Sequence, residues 1–242
     1  MAIRGILFDL DGTLWHAETP PDWDRVTSLQ YEAAAPLLRD AGVEGEAAME
    51  FIRSLWRLFG PRFAATDGEL VETAYEIGSA TVVEALANLG KDISEDFARA
   101  VWALVMEVPR RHYNTRPFPD TAATLGALGE AGLRMAVVTN NPLPASVIAD
   151  DLESMGVPPV IEAIVTSHEI GYRKPHPRIF EAALEQIELK PAEVAMVGDS
   201  FEADIQGALA MGMLPIFMRR PGDHADSMRS IGRLSELLAE LI

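Results

Sequence analysis

"ILFDLDGTLW", residues 6–15, begins as an apolar run and then sets Asp9 and Asp11 two residues apart, directly ahead of Gly12. A short unbroken apolar run of this kind predicts a strand buried on both faces, as in a parallel sheet. Open parallel sheets bind ligands beyond the carboxyl ends of their strands, where the strand order reverses. Asp9 stands at such an end. The two-residue period of a strand points Asp9 and Asp11 the same way, and Gly12 lets the backbone curl tightly around whatever they hold.

Working outward, the first strand spans residues 3–8, and further buried runs occupy 135–139, 163–166, 194–197 and 215–218. Helical segments separate the later runs, at 119–132, 145–155, 177–187 and 201–211, each closed by Gly or a turn. Such alternation builds right-handed βαβ units that cover both faces of a sheet. The expected fold is therefore α/β, a doubly wound, Rossmann-like parallel sheet. Residues 15–116 break the rhythm: "EAAMEFIRSLWRLFG" and "FARAVWALVMEVPRRHY" show helical periodicity and no strand. The expected organisation is a core of residues 1–14 and 116–242 interrupted by an all-helical insertion at 15–115. Pro20 and Pro21 at one end, and Pro117 and Pro119 at the other, mark paired linkers. The last segment, "SMRSIGRLSELLAELI", reads as one amphipathic covering helix.

Composition narrows the partners. The 242 residues carry 20 Lys+Arg against 37 Asp+Glu, a formal charge of −17 that repels nucleic acid and anionic lipid. An anionic substrate would need a metal or a few placed cations to draw it in. The chain has no cysteine, which excludes disulfides and thiolate metal sites. The apolar run from Ile6 is broken at Asp9, so no signal peptide is expected, and no stretch approaches membrane-spanning length. The expectation is a soluble cytoplasmic protein, monomeric or homodimeric, with no nucleic-acid or membrane partner.

The other strand ends carry chemistry too. "VVTNN", residues 137–141, offers the hydroxyl of Thr139 and the backbone amide of Asn140 to an anion. "GYRKPHP", residues 171–177, places Lys174 before Pro175, which restricts the lysine backbone and so aims its side chain. Only three of the basic residues are lysines, which sets a compact ammonium at 174 apart. "VAMVGDSFEAD", residues 194–204, ends a strand with Asp199 and puts Asp204 one turn into the next helix. Asp199 could alternatively be a helix cap, and Asp204 a surface charge. Asp9, Asp11, Asp199 and Asp204 in one crevice would repel strongly, since like charges near 4 Å cost about 4 kcal/mol at an effective dielectric of 20. Lys174 supplies one positive charge. A hard divalent ion fits the rest, and Mg²⁺ suits a site that keeps waters and shares ligands with a phosphate.

The set DxDGT at residues 9–13, the strand ending at Thr139, Lys174 before Pro175, and GDxxxxD at 198–204 resembles the haloacid dehalogenase-like hydrolase superfamily over the whole chain. The resemblance is to phosphatase-type members with a helical cap inserted between the first two motifs. It implies Asp9 as the nucleophile forming an aspartyl-phosphate. It implies Asp11 as general acid toward the leaving group and then base toward water. Thr139 and the amide of Asn140 would hold phosphoryl oxygens, and Lys174 would neutralise charge and orient Asp9. Mg²⁺ would be held by Asp9, the backbone carbonyl of Asp11, Asp199 and Asp204. Dehalogenases of the family usually carry tyrosine at the position of Asp11, and phosphonate hydrolases carry alanine there with a cap lysine. Aspartate at 11, with Lys91 the only lysine of the insertion, favours Mg-dependent hydrolysis of a small phosphorylated metabolite.

Within the insertion Arg53, Arg57, Arg62, Arg110, Arg111 and His112 are candidates for an anionic substrate, as are Trp15 and His16 beside the nucleophile loop. A neighbouring carboxylate is expected to raise the pKa of Asp11. Other readings stay open: a sugar-phosphate mutase of the same superfamily, or a catalytically silent binding relative. "GDSF" at 198–201 would make Ser200 an esterase nucleophile, but the motif stands late in the chain and no later DxxH accompanies it. An EF-hand reading fails because Leu7 occupies the place of an earlier acidic ligand.

Overall fold

A computed structural model describes residues 2–18, 22–64, 74–112, 115–219 and 228–242. Two compact units emerge, one of residues 1–16 and 115–242, the other of residues 17–114. The proposed linker residues Pro20 and Pro21 lie outside the described residues.

The described residues hold eight short strands, in or bordering the discontinuous unit: β1 Gly5–Phe8, β2 Trp15–Ala17, β3 Thr115–Pro117, β4 Arg134–Thr139, β5 Ala163–Thr166, β6 Val194–Gly198, β7 Leu214–Met218 and β8 Ser230–Ile231. Six form one sheet in the order β5-β4-β1-β6-β7-β8, every pair parallel. The chain first fills one side of β1, with β4 and β5, and then crosses to place β6 on its other side. Strand order therefore reverses beside β1, which is where an open α/β sheet opens a crevice at its carboxyl edge.

Side-chain alternation sorts the sheet into two buried layers. Ile6, Phe8, Met135, Val137, Ala195 and Val197 point to one face, against Leu125, Leu128, Ile148 and Leu152. These come from helices α5 Thr121–Glu130 and α6 Ala145–Ser154. Leu7, Ala136, Val138 and Met196 point to the other face, against Ile179, Phe180, Ala183 and Leu184. Those four line α8 Pro177–Gln186, which follows the single turn α7 Ser167–Ile170. Every residue of β1 is fully buried, as its unbroken apolar run requires. Truncating Phe8 to alanine in such a layer removes about 3–5 kcal/mol of stability.

Four details depart from the sequence reading. The stretch 15–116 is not strand-free, since β2 and β3 pair as a two-stranded ribbon. Segment 201–211 opens as a π-helix, Phe201–Gln206, before α9 Gly207–Met211. The final segment is not one helix: β8 is followed by a 3₁₀ turn, Leu234–Glu236, and only α10 Leu237–Leu241 is α-helical. The first strand begins at Gly5 rather than residue 3.

The second unit is helical: α1 Trp23–Asp40, α2 Gly45–Ala64, α3 Ala74–Ala87 and α4 Glu95–His112. Asp22 caps α1 by accepting from Arg25 N–H. Trp102, Phe51, Leu55, Leu86 and Leu38 make its core. A buried glutamine is satisfied there, Gln30 Nε2 donating to Val105 O at 2.8 Å and Gln30 Oε1 accepting from Trp56 Nε1 at 3.2 Å. Arg57 and Arg62 pair with Glu50 and Glu84, and Arg53 lies 3.9 Å from Glu50, so all three are engaged within their own unit. The side chains of Arg110, Arg111 and His112 lie outside the described residues. No helix among the described residues is long and apolar enough to cross a membrane.

Candidate active site

Asp9 is the first residue past β1, and its N–H donates to Val197 O at 2.8 Å, which extends the pairing with β6 by one step. The chain then turns sharply. Leu10 O accepts from the N–H groups of Thr13, Leu14 and Trp15 at 3.2, 2.9 and 3.2 Å, and Gly12 N–H donates to Trp15 O at 2.8 Å. Gly12 has φ +82°, and a Cβ there would overlap the carboxylate of Asp199. Glycine is thus required twice over, by its backbone angle and by the approach of Asp199. Gly198 of β6 is required on the second ground alone, since a Cβ there would overlap Asp204.

Lys174 Nζ lies 2.6 Å from Asp9 Oδ1 and 2.6 Å from Asp204 Oδ1, with all three side chains buried. Thr13 Oγ1 donates to Asp9 Oδ2 at 3.2 Å, and Ser200 N–H donates to Asp204 Oδ2 at 2.9 Å. Burial alone would lower the Lys174 pKa, but the charges of Asp9 and Asp204 and their hydrogen bonds outweigh it and hold the ammonium above its ordinary value. The Asp204 carboxyl is raised, first by burial and further by Asp9, against the pull of Lys174 and Ser200.

Asn140 fixes the lysine from behind. Its Nδ2 donates to Lys174 O at 3.0 Å and its Oδ1 accepts from Lys174 N–H at 2.7 Å, so one side-chain amide grips both backbone groups of residue 174. The Lys174–Pro175 bond is cis. Thr139 closes β4, buried and in register with Thr166 of β5.

Asp11 has a separate setting. Trp15 Nε1 donates to its Oδ1 at 2.7 Å and Asn141 Nδ2 to its Oδ2 at 3.3 Å. Water reaches Asp11, yet the protein crowded around its carboxyl desolvates it enough to push the pKa above the ordinary carboxylate value. The Trp15 hydrogen bond opposes that rise, the Asp9 charge adds to it, and Asn141 and Lys174 lower it. The expected cause, a neighbouring carboxylate, is therefore secondary to desolvation.

A family model for haloacid dehalogenase-like hydrolases matches residues 3–212. The chain belongs to the haloacid dehalogenase-like hydrolases. Glyceraldehyde 3-phosphate phosphatase of Methanothermobacter thermautotrophicus is 28% identical over 218 residues, covering 89% of this chain and 85% of the relative. Ribulose-1,5-bisphosphate 5-phosphatase of Halopiger xanaduensis is 31% identical over 235 residues, covering 94% of this chain and 89% of the relative. Among solved structures, 2-haloacid dehalogenase of Pseudomonas syringae aligns with a TM-score of 0.70 at 23% identity, covering 99% of this chain and 100% of that one. That likeness concerns the fold.

In this hydrolase the donor set fits a divalent cation. Asp9, Asp199 and Asp204 each bring a carboxylate oxygen, and the three lie within 4.8 Å of one another. At that spacing each pair repels by about 3 kcal/mol at an effective dielectric of 20, and Lys174 contributes a single positive charge. All-oxygen donors of this charge suit Mg²⁺. Asp11 brings no carboxylate oxygen into that group of three, although the charges of Asp9 and Lys174 reach its carboxyl. The cap reading of Asp199 also fails, because Ser200 is the residue that caps the π-helix, its Oγ accepting from Ala203 N–H at 3.1 Å. His16 stacks on Phe118 with ring centroids 4.6 Å apart. Contributions that the sequence reading missed include the Asn140 side-chain grip on Lys174, the tie from Trp15 to Asp11 and the tie from Asn141 to Asp11. The four-residue separation of Asp11 and Trp15 across Gly12 was the available signal for the second.

Proposed function

We propose that this hydrolase is a Mg²⁺-dependent phosphatase that cleaves a small phosphorylated metabolite through an aspartyl-phosphate on Asp9. The observation that carries the reading is a pair of carboxylates in unlike settings. Asp9 is ion-paired to a buried ammonium at 2.6 Å, which aims it. Asp11, two residues on, has a pKa raised chiefly by desolvation against the pull of its two donors, which suits a group that must begin protonated.

In the first step a carboxylate oxygen of Asp9 attacks phosphorus. The ester P–O bond breaks with its electron pair on the leaving oxygen, which takes the proton of Asp11. In the second step the Asp11 carboxylate takes a proton from water, whose oxygen attacks phosphorus. The bond from phosphorus to Asp9 breaks, returning the Asp9 carboxylate, inorganic phosphate and protonated Asp11. Dividing one displacement into two in this way is nucleophilic catalysis. Lys174 offsets the charge on Asp9, while Thr139 and the amide of Asn140 face the phosphoryl oxygens.

Mg²⁺ would be held by Asp9, Asp199, Asp204 and the backbone carbonyl of Asp11, and it supplies charge neutralisation to the transferring phosphoryl group. The phosphatases named among the relatives support a small phosphorylated metabolite as substrate. The helical unit of residues 17–114 would serve as a cap that selects the leaving group and excludes water. The reading is of a cytoplasmic enzyme, monomeric or homodimeric.

The test is release of inorganic phosphate from p-nitrophenyl phosphate by purified protein with and without Mg²⁺. Wild type turns over only with the metal, and Asp9→Asn abolishes turnover. An Asp9→Asn variant as active as wild type would remove the nucleophile from this account. Phosphate retained on an organic product would indicate transfer between substrate positions instead of hydrolysis.

A further inference from the structure

We infer that Trp15 and Asn141 are positioning residues that hold the Asp11 carboxyl for its two proton transfers. The inference rests on the phosphatase reading and adds to it two side chains that hydrogen-bond Asp11. Asp11 sits on a tight loop with its surface partly open to water, where an aspartate side chain ordinarily samples several rotamers. Here each of its oxygens has its own donor, one from the first residue of β2 and one from the loop after β4.

Neither donor is free to wander. The Trp15 ring is 5% exposed and packs in the same apolar layer as Ile6, Leu10 and Leu14. A buried indole N–H needs an acceptor, and Asp11 Oδ1 at 2.7 Å is the one it has. The Asn141 amide is oriented by its other end, since Asn141 Oδ1 accepts from Leu143 N–H at 3.1 Å. A backbone N–H can only donate, so the oxygen is assigned and Nδ2 must face Asp11. Asn141 O also accepts from Ser167 Oγ at 3.2 Å, which ties the same turn to α7.

This arrangement matches what the two steps ask of Asp11. When its proton passes to the leaving oxygen, negative charge appears on a carboxylate whose oxygens already face fixed N–H dipoles. Each oxygen keeps a second lone pair, so the donors do not compete with the proton in transit. The same hold leaves the carboxylate aimed for the water of the second step. Both donors are neutral N–H groups that leave the site's charge unchanged.

The test compares Trp15→Phe, which keeps the ring and deletes the N–H, with wild type on two esters in saturating Mg²⁺. Glycerol phosphate, whose alkoxide leaves poorly, needs the acid; p-nitrophenyl phosphate does not. The expected result is a loss of about tenfold to hundredfold in kcat/KM on glycerol phosphate and under threefold on the aryl ester. Because the second step needs Asp11 whatever the ester, the variant should also release a burst of nitrophenol ahead of slow turnover. Asn141→Ala should change the ratio of the two esters in the same direction, and it serves if Trp15→Phe does not fold. An unchanged ratio without a burst in the folded variant overturns the inference, as does an equal loss on both esters. Asp9→Asn run alongside separates the two levels. If it stays active, or wild type releases no phosphate, the phosphatase reading fails; if it is inactive and the ratio is unmoved, only the positioning role fails.

Discussion

Replacing Lys174 by methionine removes the ammonium that bridges two buried carboxylates, and the consequence can be worked from the geometry. Nζ stands 2.6 Å from both Asp9 and Asp204, and Asp204 is completely buried. Breaking a buried pair by deleting one partner costs about 3–5 kcal/mol, because the remaining charge is left uncompensated in the interior. At about 2–4 °C per kcal/mol for a chain of this size, the melting temperature in EDTA should fall by about 6–20 °C. Mg²⁺ should return part of that loss, since a ligand at a hundred times its Kd stabilises by about 2.7 kcal/mol. Its stabilising effect should be larger in the variant than in wild type, because the cluster has lost its resident cation. Turnover should stay low even when the fold is restored, because nothing then aims Asp9 Oδ1. The pH dependence has a defined sign. The pKa of Lys174 is raised in the folded state, so its stabilisation is complete below the ordinary value of 10.5 and is lost as pH climbs through the raised value. The lysine's own contribution to the gap between wild type and variant should therefore disappear in strong alkali. Thermal melts with and without Mg²⁺, with the exposed Lys190→Met as control, measure all of this. A Lys174→Met protein that melts within 2 °C of wild type in EDTA and keeps its turnover would refute the reasoning.

Other changes probe the same constellation from different sides. Gly12→Ala must accept φ +82° at a cost of about 1–2 kcal/mol and push Asp199 aside, so the Mg²⁺ concentration giving half-maximal activity should rise at least about tenfold. Asn140→Ala removes two hydrogen bonds from the Lys174 backbone, which should lower stability by about 1–3 kcal/mol by chemical denaturation and reduce kcat on every ester alike. The Asp204 carboxyl has a folded pKa above 3.8, so it takes up a proton as pH falls through the raised value and then competes with the metal. The gain in melting temperature from Mg²⁺ should shrink as pH is lowered from neutral toward that raised value. In metal-free protein the same group should stabilise the fold as pH falls through that window, because the folded state binds the proton more tightly than the unfolded chain does.

How much of this was legible in the sequence depends on what sets each feature. The central strands were legible because burial on both faces leaves an uninterrupted apolar run, and each run stops where the chemistry begins, at Asp9, Thr139 and Asp199. Short elements were not, because two or three residues carry no period: β2, β3 and β8 are of that kind, and Gly232 parts β8 from the short helix that closes the chain. The setting of Asp11 is more instructive. The regular pairing of β1 ends with the Asp9 N–H, two residues before it. From Leu10 onward three N–H groups converge on one carbonyl, so the chain winds instead of extending, and residues four apart become neighbours. Spacing within a strand therefore identified the two carboxylates, while the turn after it decided their partners. Asp9 stays with the sheet and meets Lys174; Asp11 is carried to Trp15. A loop that parts two aspartates one residue removed from each other gives one a cation and the other neutral donors, and that difference is what the proposed two-step reaction asks of two identical side chains.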